Sequence, residues 1–276
     1  MALERILVTL QGAAQDAELT RAAIALAPLY GARVEGVYVE PDPSSYLMWT
    51  APGAAAAAVM ASAVDSIREE SEQYAETAQS SFQGAFKGES VEHDFTRISD
   101  LPSDAAMEAR LARLMVACPK AAAGRGGLAD FVLSAMTDEA IPVYVPRVGA
   151  LPPKRIALAW DGSREAARAV FAADPLLRQA EEVVVVQSEK GLDYTDRRAA
   201  RGDHLDEWLG ARGCAVRYQA IDPKGDIGAA LLGSGGGCDL IVAGAFGHSR
   251  LREFVFGGVT RTLMHATDGP SLLLAH

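Results

Sequence analysis

A chain of 276 residues has room for two domains, each large enough to bury its own core. With 49% hydrophobic and 22% charged residues, 26 Gly and 13 Pro, its composition is that of packed globular protein and excludes collagen, coiled coil and disorder. The net charge of −10 lacks the positive field that holds a phosphate backbone, so nucleic-acid binding is not expected.

The first predicted element is the strand Arg5-Ile6-Leu7-Val8-Thr9-Leu10, closed by Gln11-Gly12. An amphipathic stretch from Asp16 to Tyr30 reads as a helix, and the β-branched run Arg33 to Val39 as a second strand. The next crossover, from Glu40 to about Phe86, is long, with an Ala-rich piece and a Glu-rich helix. It reads as an added surface helix, with a lid or a dimer contact as the alternative. Third and fourth strands are expected at Val91 to Ile98 and Arg113 to Cys118, and a closing strand at Ile141 to Val145. Pro146 to Pro153, with three prolines and a glycine, reads as a linker.

The pattern then starts again. Arg155-Ile156-Ala157-Leu158-Ala159-Trp160-Asp161-Gly162 aligns with residues 5–12 at an offset of 150. A helix follows over Arg164 to Ala180, with Asp161 and Ser163 placed to cap it and Asp174-Pro175 placed to restart it as N-cap and N1. Further strands are expected at Glu182 to Gln187, Ala215 to Ile221, Asp239 to Ala243 and Ser271 to Ala275. Helical crossovers require parallel strands, and near-continuous apolar runs such as Val183 to Val186 suit strands buried on both faces. The expected fold is α/β: two doubly wound, Rossmann-like parallel-sheet domains in tandem, over residues 1–147 and 153–276.

Open parallel sheets bind ligands beyond the carboxyl ends of strands, where the strand order reverses. For an assumed order 3-2-1-4-5 that point lies between strands 1 and 4. In the second half these strands end in Asp161-Gly162-Ser163 and in Gly244-Ala245-Phe246-Gly247-His248-Ser249-Arg250, and Gly257-Gly258-Val259-Thr260 opens the last helix. Glycines let amides approach phosphate oxygens closely, and a helix N-terminus adds unpaired donors at the positive end of its dipole. The dipole contributes about 0.3–1 kcal/mol per anionic group, so useful nucleotide affinity requires several amides and a metal ion.

Gly244-x2-Gly247-x9-Gly257, followed by a small residue, closely resembles the G-x2-G-x9-G-[ST] signature of universal stress proteins, and the strand ending in Asp161-Gly162-Ser163 resembles theirs. The resemblance covers both halves in strand order and the second half in motif, so the chain is similar to a tandem protein of the UspA family. It implies an adenine nucleotide alpha hydrolase-like fold and, as cofactor, ATP or a related adenine nucleotide, bound by some members and lacking in others. Magnesium would be held through phosphates and water.

Carried over by motif, Asp161 faces the adenine side, while Gly244 and Gly247 shape the phosphate loop. Gly257, Gly258, Val259 and Thr260 bind phosphates through backbone or hydroxyl groups, and Ala159 and Val185, at strand ends, line the base. Gly258 stands where the family has Ser or Thr, which removes one donor, and Thr260 is the hydroxyl expected to compensate in part. In the first half Gln11 replaces the aspartate and residues 118–127 lose the spacing, so that half is expected to be a degenerate, structural copy.

Cys118, Cys214 and Cys238, without close pairing, fit a reducing cytosol, and no export signal or membrane span is read, so a cytoplasmic protein is expected. There is no H-E-x-x-H or C-x-x-C, so no protein-held metal is expected. Gly247-His248-Ser249-Arg250-Leu251 misses the G-x-S-x-G nucleophile elbow at its last position. With no P-loop lysine and no base aimed at water, the expectation is at most slow ATP hydrolysis. The expected role is stress-linked nucleotide binding or signalling, with the two halves packed as a pseudo-dimer or two chains as a homodimer. The alternative is a nucleotide-free interaction protein of the same fold, acting through its surface and self-association.

Overall fold

The computed structural model describes residues 4–41, 54–99, 102–147, 149–188, 202–222, 226–246, 258–266 and 268–276. The first half carries strands β1 (Glu4–Leu10), β2 (Ala32–Val39), β3 (His93–Ile98), β4 (Leu114–Val116) and β5 (Val143–Val145), all parallel, in the order β3-β2-β1-β4-β5. The second repeats it with β6 (Arg155–Ala159), β7 (Glu182–Ser188), β8 (Val216–Ile221), β9 (Leu240–Gly244) and β10 (Ser271–Ala275), in the order β8-β7-β6-β9-β10. Both halves therefore have the order 3-2-1-4-5, and the 150-residue sequence repeat is a repeat of architecture.

The halves share one sheet. β5 and β10 pair antiparallel, with Leu272 opposite Val145 and Leu274 opposite Val143, so ten strands run continuously from β3 to β8. Strands near this seam are buried on both faces; Val143, Tyr144, Leu272, Leu273 and Leu274 are all fully covered. The covering layers also cross the seam. The Tyr30 hydroxyl donates to the Ala172 carbonyl at 2.9 Å, and Arg147 Nη2 donates to the Leu263 carbonyl at 2.7 Å, near the end of the last helix. A cation at a helix C-terminus is favoured by the dipole there.

The helices of the first half are α1 (Asp16–Tyr30), α2 (Ala54–Ala85), α3 (Pro102–Ala105), α4 (Pro119–Ala122) and α5 (Ala129–Thr137). Leu19, Ala22, Ala23, Leu26, Ala27 and Tyr30 repeat at helical spacing and put one buried face of α1 on the sheet, and Gly31, with φ of 59°, ends the helix in the left-handed region. The fourth strand is shorter than its apolar run suggested because Cys118 leaves the sheet to start α4, its Sγ accepting from the Ala121 amide at 3.4 Å.

The second half has α6 (Arg164–Ala172), α7 (Asp174–Leu177), α8 (Gly202–Gly210), α9 (Ile227–Gly235) and α10 (Gly258–His265). Ser163 caps α6, accepting from the Ala166 amide at 3.1 Å, a bond worth about 1 kcal/mol. Asp174 is not the N-cap the sequence suggested: Ala173 holds that position, and the Asp174 carboxylate accepts from Arg178 and Arg212 instead. Burial opposes its ionisation, but these two guanidinium groups hold its carboxyl below the usual aspartate value.

Candidate functional site

In the second half the order reverses between β6 and β9, the chain passing from β6 outward to β7 and β8 and from β9 toward β10. At the carboxyl end of this pair, Ala159 stands beside Ala243 on one side and Val186 on the other. Past Ala159 the chain turns at Asp161, whose Oδ1 accepts from the Ser163 amide at 2.9 Å. Past Gly244 it turns through Phe246, a bulky residue held at φ of 64°. Such backbone strain costs of order 1–2 kcal/mol and gathers at functional edges. The imidazole of His276 lies over this turn, its Nδ1 at 3.1 Å from the Ala245 carbonyl, and Glu165 of α6 is buried nearby, bonded to Arg164. Burial works against the Glu165 charge, but the Arg164 hydrogen bonds, its own backbone amide and the charges of Arg164 and His276 together hold the carboxyl low.

No protein-family model matches the sequence, and no curated protein matches it at a significant level. Solved structures do. A universal stress protein from Archaeoglobus fulgidus matches over 98% of this chain and 95% of its own, with a TM-score of 0.61 and 14% identity. A functionally unknown protein from Pseudomonas aeruginosa matches over 99% of this chain and 92% of its own, at 0.55 and 13% identity. The fold is that of a tandem universal stress protein. At 14% identity the likeness is one of architecture, and the ligand has to be argued from this chain's own residues.

Placed on the universal stress protein fold, the motif residues separate into distinct situations. Ala159 is half-buried at the end of β6, and Asp161 is exposed just beyond it. Gly244 ends β9, where a Cβ would lie 2.6 Å from the Ala166 amide nitrogen, so its missing side chain is what admits the first turn of α6. Gly258 is the first residue of α10, is exposed, and has nothing within 4 Å of where a Cβ would stand. Val259 is half-buried. Gly247 and Gly257 lie outside the described residues.

Two placements differ from expectation. Val185 is not at a strand end: β7 runs on to Ser188, so Val185 pairs with Leu158 and Tyr218 in mid-strand and is wholly buried. Thr260 lies with Leu263 and Met264 on the buried side of α10, only 5% exposed, because the helical period puts these three residues on one face. The amides of the first turn of α10 lack intrahelical acceptors.

The first-half counterpart is closed. Gly12, at φ of 72°, makes the same left-handed turn as Gly162 at 74°, but α2 packs directly on it, and a Cβ at Gly12 would stand 2.5 Å from the Tyr74 carbonyl oxygen. The insertion is thus a packed cover, with Ala75, Ala78 and Phe82 turned into the core. Sequence reading gave no role to Phe246 or Glu165 and named His276 only as a possible base. Phe246 lay inside the glycine motif, but its positive φ leaves no trace in residue type. Among the described residues there is no group of three His, Cys, Asp or Glu side chains fit to hold a metal, and no helix long and apolar enough to cross a membrane.

Proposed function

We propose that the protein binds one adenine nucleotide in its second half and acts in the cytoplasm as a stress-linked binding or signalling protein. The observation that carries this reading is the reversal of strand order between β6 and β9, whose carboxyl ends lead into Asp161 and Gly244; Gly258, exposed and with nothing within 4 Å of where a Cβ would stand, supplies a helix N-terminus for the same glycine motif. On this reading the amides of Gly258, Val259 and Thr260 receive phosphate oxygens, and Gly247 and Gly257 belong to the same loop. Asp161 accepts from the base or ribose, and Ala159 gives it an apolar floor. Magnesium would enter with the nucleotide, held by phosphates and water. The proposed units are a structural first half, residues 1–147, and a ligand-bearing second half, residues 153–276, already paired as an intrachain pseudo-dimer, so a second chain is not needed to complete the site.

The buried Thr260 and the glycine at 258 leave no hydroxyl described at the phosphate end, which favours the second reading, a nucleotide-free interaction protein. Calorimetric titration with ATP, ADP and AMP, with and without magnesium, decides between them. Saturable binding that prefers adenine nucleotides supports the first; no heat and no thermal shift at millimolar ligand overturns it and favours the second.

A further inference from the structure

The turn after β1 already holds an anion. The amides of Gln11, Gly12 and Ala13 converge on one oxygen, Oδ2 of Asp16, at 3.0, 2.7 and 3.2 Å. Three convergent backbone donors beside the N-terminus of a 15-residue helix form an oxyanion nest. The carboxylate filling it is fully buried, and its other oxygen, Oδ1, has no hydrogen-bond partner. Burial pushes its carboxyl above the ordinary aspartate value, and the three amides act in the opposite sense, favouring the charged form. A carboxylate needed only to cap a helix would keep its free oxygen in water.

The second half is built differently at the same point. The residue 150 positions after Asp16 is Ala166, which has no carboxylate, and its amide is taken by the Ser163 hydroxyl. The internal acid is therefore present only in the half whose glycine motif is lost and whose strand edge is covered by α2. We propose that Asp16 is a tethered anion: the turn 11–13 is a small-oxyanion site that the chain fills with its own side chain, and this filling shapes the Gly12 turn on which Tyr74 of α2 is seated. The inference does not depend on nucleotide binding in the second half.

The test is replacement of the side chain's end group. Asp16→Ala removes the carboxylate and leaves a void of its size, and sodium formate supplies a free one. The thermal midpoint of Asp16→Ala in chloride is expected to fall below wild type, then to recover with formate in a saturable way, while wild type melts alike in formate and in chloride of equal ionic strength. A wild-type midpoint for Asp16→Ala in chloride, or equal effects of formate and chloride on it, overturns the proposal. Should Asp16→Ala not fold, Asp16→Asn keeps the shape without the charge. Faster hydrogen exchange at the amides of Gln11, Gly12 and Ala13 is then expected, and unchanged exchange overturns the proposal.

Discussion

Gly244 and Ala166 meet at backbone distance: a Cβ on the glycine would stand 2.6 Å from the alanine's amide nitrogen and 2.7 Å from the Glu165 carbonyl carbon. These are main-chain atoms at the start of a capped helix and cannot swing aside. Gly244→Ala is accordingly expected to destabilise the fold by about 1–3 kcal/mol, read from urea denaturation, as overpacked cores do. A variant as stable as wild type would show that α6 is free to shift.

Gly258 is the opposite case, with open space where a side chain would begin. Gly258→Ser is expected to leave stability within a few tenths of a kcal/mol and to tighten ATP binding roughly three- to tenfold, the effect of about one added hydrogen bond. Calorimetry measures it. Unchanged affinity would move the phosphates away from α10.

Asp161 is exposed and makes a local bond to the Ser163 amide. If it also meets the adenine side, Asp161→Ala will weaken ATP and AMP more than inorganic triphosphate in competition assays. Equal losses for all three would reduce it to a turn residue.

Asp239 gives a pH dependence of known sign. Its carboxylate accepts from the amides of Lys154 and Arg155, both at 2.9 Å, and of Ala150 at 3.2 Å, pinning the linker to β9. Burial opposes its ionisation, but the three amides and the Arg155 charge hold the carboxyl below its ordinary value of 3.8. Its stabilisation is therefore present above that value and is lost as pH falls through the lower folded value. Asp239→Asn should cost about 1–2 kcal/mol at neutral pH, with the gap to wild type closing below about pH 4. A gap independent of pH would assign the loss to shape.

The architecture was legible because helix and strand periods differ and because Arg5-Ile6 and Arg155-Ile156 begin the same pattern twice. Ser163 was readable as a cap, since its side chain acts within three residues. What failed was whatever depends on contacts distant in the chain. Val185 looked terminal until β7 was seen to run to Ser188 between two neighbours, and Asp174 looked like a cap until Arg212 supplied a better partner. The seating of Tyr74 on Gly12, sixty-two positions apart, could not be read from either residue type. Nor could the β5–β10 seam, since closing strands look alike whichever neighbour they take.

That seam has a consequence for divergence. In a dimer of identical chains every substitution is made twice, and a change that suits one subunit is imposed on the other. Joining the two copies through β5 and β10 within one polypeptide removes that constraint. Position 16 can carry an acid while position 166 carries alanine, and the turn at Gly12 can be packed under α2 without the same packing being imposed on Gly162.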